Sequence, residues 1–282
     1  MRALAEFVMR SRTHAIGTSM VAAFLPLLGW LSTVVVALVC LRQGVAAGSL
    51  ILLWTFLPIG IGLYVVGDPS PALALVGTFL MAAMLRQAMS WELVLIACVI
   101  FSAMGTIVFE LTAAGILEKF VEYYLEYLGR VDASLAVSPQ EAKNLLLGFF
   151  SMGQAFAMVV MLIIARWCQS ALYNPGGFRK EFHQLRLSPV VSAVIVAGML
   201  ACYVFSDQLG RWLPLLTVPL ILAALGLVHW VFASRNMSKS WVAALYAGLI
   251  MLFQLVYPFL ASLALMDSWF NVRNRLQTIQ KD

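Results

Sequence analysis

Residues 138–187 read SPQEAKNLLLGFFSMGQAFAMVVMLIIARWCQSALYNPGGFRKEFHQLRL, and this stretch decides how the rest of the chain is arranged. It opens at 138–141 with a capping box that has proline at the first helical position. The apolar run Leu145–Ala165 is long enough to cross a bilayer as a helix. The connector Arg166–Leu187 carries four basic residues against one acid. Short basic connectors stay in the cytoplasm, so this one sets the orientation of the neighbouring spans.

The composition of the whole chain places it in a membrane. Of the 282 residues, 62% are hydrophobic and only 11% are charged, whereas soluble domains are roughly 25% charged. A soluble fold of this length cannot bury that much apolar side chain, so lipid must act as solvent. The net charge of +5 comes from connectors between apolar runs. This distribution indicates contact with anionic lipid headgroups and not with nucleic acid.

The sequence offers no catalytic, cofactor or metal motif. The cysteines, Cys40, Cys98, Cys168 and Cys202, form no CxxC pair and are expected to be small buried hydrophobes. No phosphate-binding glycine pattern, GxSxG or HExxH occurs, and the three histidines share no ligand spacing. We therefore expect a protein that is not an enzyme and that uses no cofactor and no metal.

The apolar runs predict an all-α, polytopic transmembrane helix bundle with about eight spans plus broken or interfacial helices. Pro26 and Gly29 interrupt the first run, which is predicted to break into Ala15–Leu25 and Trp30–Leu41. The other predicted spans are Val45–Val66, Ala72–Leu85, Trp91–Ile116, Leu145–Ala165, Val190–Phe205, Trp212–Phe232 and Trp241–Leu265.

The chain divides into a cytoplasmic basic N-terminus (1–14), a single integral membrane domain (15–270) and a basic C-terminal tail (271–282). No small-residue cleavage site closes the first run, so we expect it to remain as an anchor. Residues 116–128 alternate apolar and charged positions at helical spacing and predict an amphipathic helix at the outer surface. A second short amphipathic helix is predicted within the cytoplasmic basic connector, 166–187.

The charges support this topology when the first run is counted as two elements. Eleven Lys and Arg then fall on the cytoplasmic side and four on the outer side. The distribution favours a multi-pass protein of the bacterial inner membrane with a cytoplasmic N-terminus. The cytoplasmic set is Arg2, Arg10, Arg12, Arg42, Arg86, Arg166, Arg179, Lys180, Arg186, Arg235 and Lys239, and the outer set is Lys119, Arg130, Lys143 and Arg211.

The last apolar run leaves two alternatives for the C-terminus. A single span places Arg273, Arg275 and Lys281 outside, against the distribution of the other charges. A split at Pro258 into two half-helices returns the tail to the cytoplasm, and we favour this return.

Three residues are candidates for substrate binding. Burying a polar group at membrane depth costs free energy, so residues that carry such groups are often functional. They are Glu110, near the end of its helix, and Ser151 and Gln154, in a patch of small residues. Two structural alternatives remain open. Glu110 could reach water, and Gln154 could form a hydrogen bond between helices.

The basic connector is a candidate docking surface. Its amphipathic features suit either anionic lipid or a protein partner, from the membrane or the cytoplasm, and the sequence does not decide between them. The residues of this surface are Phe178, Arg179, Lys180, Phe182 and Arg186.

Three segments of the chain resemble the YybS-like bacterial membrane proteins (domain of unknown function 2232): the connector at 176–182, the turn at 41–44 and the ending at 266–273. The early layout is also distantly similar to the substrate-binding S-components of energy-coupling factor vitamin transporters. That similarity implies a stripe of small residues on the first helix, Ala15, Ser19 and Ala23, that packs against a coupling subunit. The C-terminal spans exceed the six that are usual for S-components.

The leading functional hypothesis is a transporter-like, substrate-binding membrane component that takes a small-molecule substrate and performs no chemistry itself. The alternative is a membrane scaffold or assembly factor that docks a partner through the basic connector.

Overall fold

The computed structural model describes residues 1–25, 27–131 and 137–279, with side chains described as far as Leu276. Pro26 and Lys281, both named above, therefore lie outside the described residues. Every regular element within these ranges is helical, which confirms the predicted all-α class. The helices are α1 Arg2–Val8, α2 Arg12–Phe24, α3 Gly29–Gln43, α4 Val45–Val66, α5 Ser70–Ala88, α6 Trp91–Thr112, α7 Ala114–Val131, α8 Pro139–Tyr173, α9 Gly177–Gln184, α10 Pro189–Val204, α11 Ser206–Leu209, α12 Leu213–Ser234, α13 Lys239–Met251, α14 Phe253–Phe270 and α15 Val272–Ile279, with a 3-10 turn at Gly210–Trp212.

The number of membrane spans is smaller than the eight predicted. Five helical segments in the described ranges are long and apolar enough to cross a bilayer, and two bent helix pairs raise the number to seven if each pair is one span. The bent pairs are α9 with α10, at 60°, and α13 with α14, at 118°. The five segments are Val45–Val66, Ser70–Ala88, Trp91–Thr112, Pro139–Tyr173 and Ser206–Ser234.

The first apolar run forms a short helical hairpin, as predicted. α2 has 13 residues and α3 has 15, so they are only about 20 and 22 Å long. Neither reaches across the roughly 30 Å hydrocarbon core alone. The two helices pack against each other along the hairpin.

Helix α3 forms the centre of the bundle. Ten consecutive residues, from Ser32 to Leu41, are buried, because α2, α4, α5 and α8 all pack around this helix. A Cβ atom added at Gly48 would lie 2.9 Å from the Cα atom of Cys40, so only glycine lets α4 approach α3 this closely. All four cysteines are buried and free, which confirms their predicted place as small hydrophobes.

Helix α8 runs for 35 residues, about 52 Å, and extends beyond the membrane. Its capping box is present: Ser138 Oγ accepts from the Glu141 N–H at 3.2 Å, and the Glu141 carboxylate accepts from the Ser138 N–H at 2.8 Å.

The predicted amphipathic helix is α7, which packs along the first part of α8. We call the end of the bundle that holds α7 the far end and the end that holds Arg166–Leu187 the connector end.

The last apolar run turns back to the connector end, but not at the predicted residue. The chain bends by 118° between α13 and α14 at Leu252, while Pro258 lies inside α14. The missing N–H of Pro258 falls in the second turn of α14, and membrane helices tolerate such a loss. The prediction of two half-helices is confirmed, whereas the prediction of a break at Pro258 is wrong.

A buried ion pair holds the end of α14 at the connector end. Asp267 is 2% exposed and Arg273 is 7% exposed, and Arg273 Nε lies 3.1 Å from Asp267 Oδ2. The Arg273 guanidinium also donates to the carbonyl oxygens of His183 and Leu185. Burial lowers the pKa of Arg273, and the nearby Asp267 carboxylate opposes that effect. The ion pair therefore ties the C-terminal segment to the connector.

Candidate functional site

The far end of the bundle holds Glu110, the first residue that the sequence nominates for substrate binding. Its Oε1 atom lies 2.9 Å from Lys143 Nζ and its Oε2 atom lies 2.7 Å from Arg211 Nη1. These partners belong to α8 and to the 3-10 turn Gly210–Trp212. Both carboxylate oxygens of Glu110 are thus engaged by cations, and the cluster clasps three segments together.

Ser151 and Gln154, the other two nominated residues, lie between α6 and α8. Ser102 Oγ donates to the Ser151 carbonyl at 2.5 Å, and Ser151 Oγ donates to the Gly148 carbonyl at 2.8 Å. Gln154 is 8% exposed. Glu110 lines a cavity of about 400 Å³ beside α7, and neither Ser151 nor Gln154 lines that cavity. The structure therefore does not bring the three residues into one pocket.

The stripe of small residues on the first helix packs within this chain. Ala15 and Ser19 are buried and Ala23 is half-buried, and their helix, α2, lies against α3 and α4. This face of α2 is therefore already covered by the chain's own helices.

A cavity of about 880 Å³ lies between α8, α12 and the α13–α14 hairpin, with α9 across its connector end. We call it the hairpin cavity. On α8 the lining residues are Phe156, Val160, Ile163 and Trp167, a spacing that places them on one helix face. On α12 the lining includes Leu225 and His229, one turn apart. The two long walls of the hairpin cavity are thus almost wholly apolar.

The third wall, α13, is held loosely. None of its residues is buried, although Val242, Tyr246 and Leu249 all line the hairpin cavity. Its contacts with α12 include a hydrogen bond between Tyr246 OH and His229 Nε2 at 3.1 Å and the packing of Trp241 on the Phe232 ring. A helix with few buried side chains opens at low cost in free energy.

The deep end of the hairpin cavity is apolar except for one phenol. Tyr257 OH lies 2.5 Å from Thr217 Oγ1 and 3.6 Å from the sulfur of Met152. Because these polar groups satisfy one another, no polar atom of this set is left to orient a ligand at the deep end.

Helix α9 is fixed firmly at the connector end of the hairpin cavity. Arg166 forms an ion pair with Glu181, and the Phe178 N–H donates to Ser170 Oγ at 2.9 Å. A Cβ atom added at Gly226 would lie 2.7 Å from the Phe182 carbonyl oxygen. Glycine at this position therefore lets α9 lie directly on α12.

The mouth of the hairpin cavity is basic. Arg179 and His183 line it from α9, and Lys239 lines it from the start of α13. No acidic side chain of the described residues lines this cavity, and Glu181 of α9 is engaged by Arg166. The hairpin cavity thus combines apolar walls with an uncompensated positive mouth.

The docking residues nominated in the connector divide between two places. Phe178, Arg179 and Phe182 line the hairpin cavity, and the two aromatic rings stack at 5.7 Å. Lys180 is exposed away from it, and Arg186 donates to the Ser268 carbonyl at 3.0 Å. Sequence reasoning missed the lining residues of α8, α12 and α13, since an apolar stripe at helical spacing also describes an ordinary packing face.

Within the described ranges no three His, Cys, Asp or Glu side chains cluster as metal ligands would. The apolar helices define the class of protein: a multi-pass, α-helical membrane protein. A scan against protein-family models, a search of curated proteins and a search of solved structures found no match for this chain.

Proposed function

We propose that this protein is a transporter-like, substrate-binding component of the bacterial inner membrane that performs no chemistry itself and draws on a partner for energy. The observation that carries the proposal is the hairpin cavity, whose volume of about 880 Å³ falls in the range of roughly 300–1,000 Å³ that is typical of small-molecule sites. The distant similarity of the early layout to S-components is in keeping with this role, although the stripe of small residues on α2 packs within the chain itself.

The charge distribution supports the proposed orientation. The sequence assigns eleven basic residues to the cytoplasm. Arg273 and Arg275 add to this set, because α14 returns to the connector end. The connector end and the N-terminus then face the cytoplasm.

The hairpin cavity is a better substrate site than the far-end cluster. Both oxygens of Glu110 are held by Lys143 and Arg211, so a ligand would have to displace an existing partner. The scaffold alternative is less well supported, because Phe178 and Phe182, which a docking surface would present outward, are half-buried against the core.

Native mass spectrometry of protein released gently from its own membrane tests the proposal. We expect the wild type to retain a small molecule. The double variant Val160→Trp, Leu249→Trp should lose it, because both positions line the hairpin cavity and two indoles would fill the space.

The matched control is Val194→Trp, Ile250→Trp, at positions that are 66% and 80% exposed and do not line this cavity. We expect this control, and also Glu110→Gln, to retain the molecule. Wild-type protein with no bound small molecule, or retention by the Val160, Leu249 variant, would contradict the proposal.

A further inference from the structure

We propose that the hairpin cavity takes a single anionic phospholipid from the leaflet at the connector end, with its phosphate at Arg179 and Lys239 and a hydrocarbon chain between α8 and α12. This inference rests on the proposed function, since it names the class of molecule that the substrate site binds. The depth, the lateral opening and the charge of the cavity each support it.

The depth of the hairpin cavity matches one leaflet. On α8 its lining runs from Phe156 to Trp167, and eleven residue steps of 1.5 Å amount to about 17 Å. The hydrocarbon core of a bilayer is roughly 30 Å thick, so one leaflet contributes about 15 Å. A lipid chain that enters at the connector end therefore reaches the bottom of the cavity near the membrane midplane.

The hairpin cavity is open on one side at membrane depth. Four of its lining residues, on both sides of the gap between α8 and the hairpin, are 41–46% exposed. A lipid chain can therefore enter sideways from the bilayer without passing through water, and the loosely packed α13 can move to admit it. The four residues are Val160, Trp167, Tyr246 and Phe253.

The charge at the mouth selects the headgroup. Arg179 and Lys239 form no ion pair with any described residue, and no described acid lines the cavity. Arginine and lysine bind phosphate oxygens through charge-assisted hydrogen bonds. Basic groups at the membrane surface also attract anionic lipids. A zwitterionic headgroup offers the same phosphate, but the two basic residues repel its cationic group, so an anionic headgroup binds more strongly here.

The apolar walls argue against a water-soluble substrate. Small polar ligands need several convergent polar groups to replace their hydration, and at the deep end Tyr257 and Thr217 bond to each other. Hydrocarbon needs no such partner, and burying it against Phe156 and Leu225 is favourable by the hydrophobic effect.

The test measures lipid bound to purified, delipidated full-length protein by native mass spectrometry. The probes are phosphatidylglycerol and phosphatidylcholine with identical acyl chains, offered together in equal amounts. We expect the wild type to bind one phosphatidylglycerol in clear preference. Each basic residue near a membrane surface contributes roughly fivefold to anionic lipid binding, so Arg179→Gln, Lys239→Gln should reduce the preference by about 25-fold.

The matched control is Lys180→Gln, Arg235→Gln, which removes the same charge from exposed neighbours that do not line the cavity. We expect it to keep the wild-type preference. An equal loss in both double variants would overturn the inference, because it would show general attraction of lipid to a basic surface.

The outcomes separate the lipid inference from the proposed function. If Val160→Trp, Leu249→Trp abolishes binding of a retained molecule that is not an anionic lipid, the lipid inference is wrong and the substrate site stands. Phosphatidylglycerol binding that survives this filling of the cavity overturns the inference as well. If the native membrane yields protein that carries a stoichiometric protein partner and no small molecule, both are wrong.

Discussion

Helices α3 and α13 are two short apolar helices that belong to two bent hairpins, yet their environments are opposite. α3 has ten consecutive buried residues, whereas α13 has none. Four helices surround α3, while α13 packs mainly against α14 and α12. Whether a broken span becomes core or cavity wall thus depends on how many helices surround it and not on how apolar it is.

The α13–α14 hairpin itself divides into a locked half and a loose half, and the largest expected effect lies in the locked half. Arg273→Met leaves Asp267 buried without its partner, which costs about 3–5 kcal/mol of unfolding free energy. Unfolding in mixed micelles measures it. Arg275 is an exposed residue of α15, the helix that also holds Arg273. Arg275→Met should change the unfolding free energy by less than about 1 kcal/mol. Equal effects of the two variants would contradict a stabilising role of the buried Asp267–Arg273 ion pair.

The next effect contrasts α3 with α13 directly. Leu38 is 2% exposed, and Leu38→Ala should reduce the unfolding free energy by about 2–5 kcal/mol because a cavity remains in the core. Leu245 of α13 is half-buried, and Leu245→Ala should cost less than about 1 kcal/mol. The same unfolding measurement checks both, and a larger loss at Leu245 than at Leu38 would reverse the comparison.

Gly226→Ala should have an intermediate effect. The added Cβ would meet the Phe182 carbonyl at 2.7 Å, so α9 must shift, at a cost of about 1–3 kcal/mol. Hydrogen exchange of the α9 amides should increase. Gly17→Ala is the control, since nothing lies within 4 Å of its added Cβ, and it should stabilise α2 by roughly 0.5–1 kcal/mol. Unchanged exchange in α9 would show that the close contact with α12 is unimportant.

The smallest effect is expected at the far end. Glu110→Gln removes the anion between Lys143 and Arg211, whose side chains are 34% and 23% exposed. Partly exposed pairs contribute up to about 1 kcal/mol each. We expect a slight loss of stability on thermal unfolding and no loss of the bound molecule. Loss of the bound molecule with unchanged stability would show that Glu110 takes part in substrate binding.

Much of the fold could be predicted from the sequence because its signals are local. The capping box at Ser138 and the short hairpin around Gly29 both depend on neighbouring residues. Prolines were less informative, since Pro58, Pro219 and Pro258 all lie inside helices. Membrane helices bury such breaks among their neighbours, so the bend at Leu252 was not predictable from Pro258.

The site could not be predicted because it depends on contacts between distant parts of the chain. Glu110 pairs with Arg211, 101 residues away, and this pairing turns an isolated carboxylate into a clasp. The hairpin cavity exists where α13 fails to fill the space beside α8 and α12. The sequence identified only its mouth, through Phe178, Arg179 and Phe182, because the amphipathic pattern of α9 is local.

The most direct test of the hairpin cavity is photo-crosslinking in vesicles with benzoyl-phenylalanine at Leu249, which lines the cavity, or at Ile250, which is 80% exposed. The vesicles contain phosphatidylcholine with increasing fractions of phosphatidylglycerol, and the lipid adducts are identified by mass. We expect phosphatidylglycerol adducts at Leu249 to saturate at a low fraction, while those at Ile250 rise in proportion to it. If the adducts at both positions rise in proportion to the phosphatidylglycerol fraction, α13 only borders bulk lipid. That result would contradict a binding site in the cavity.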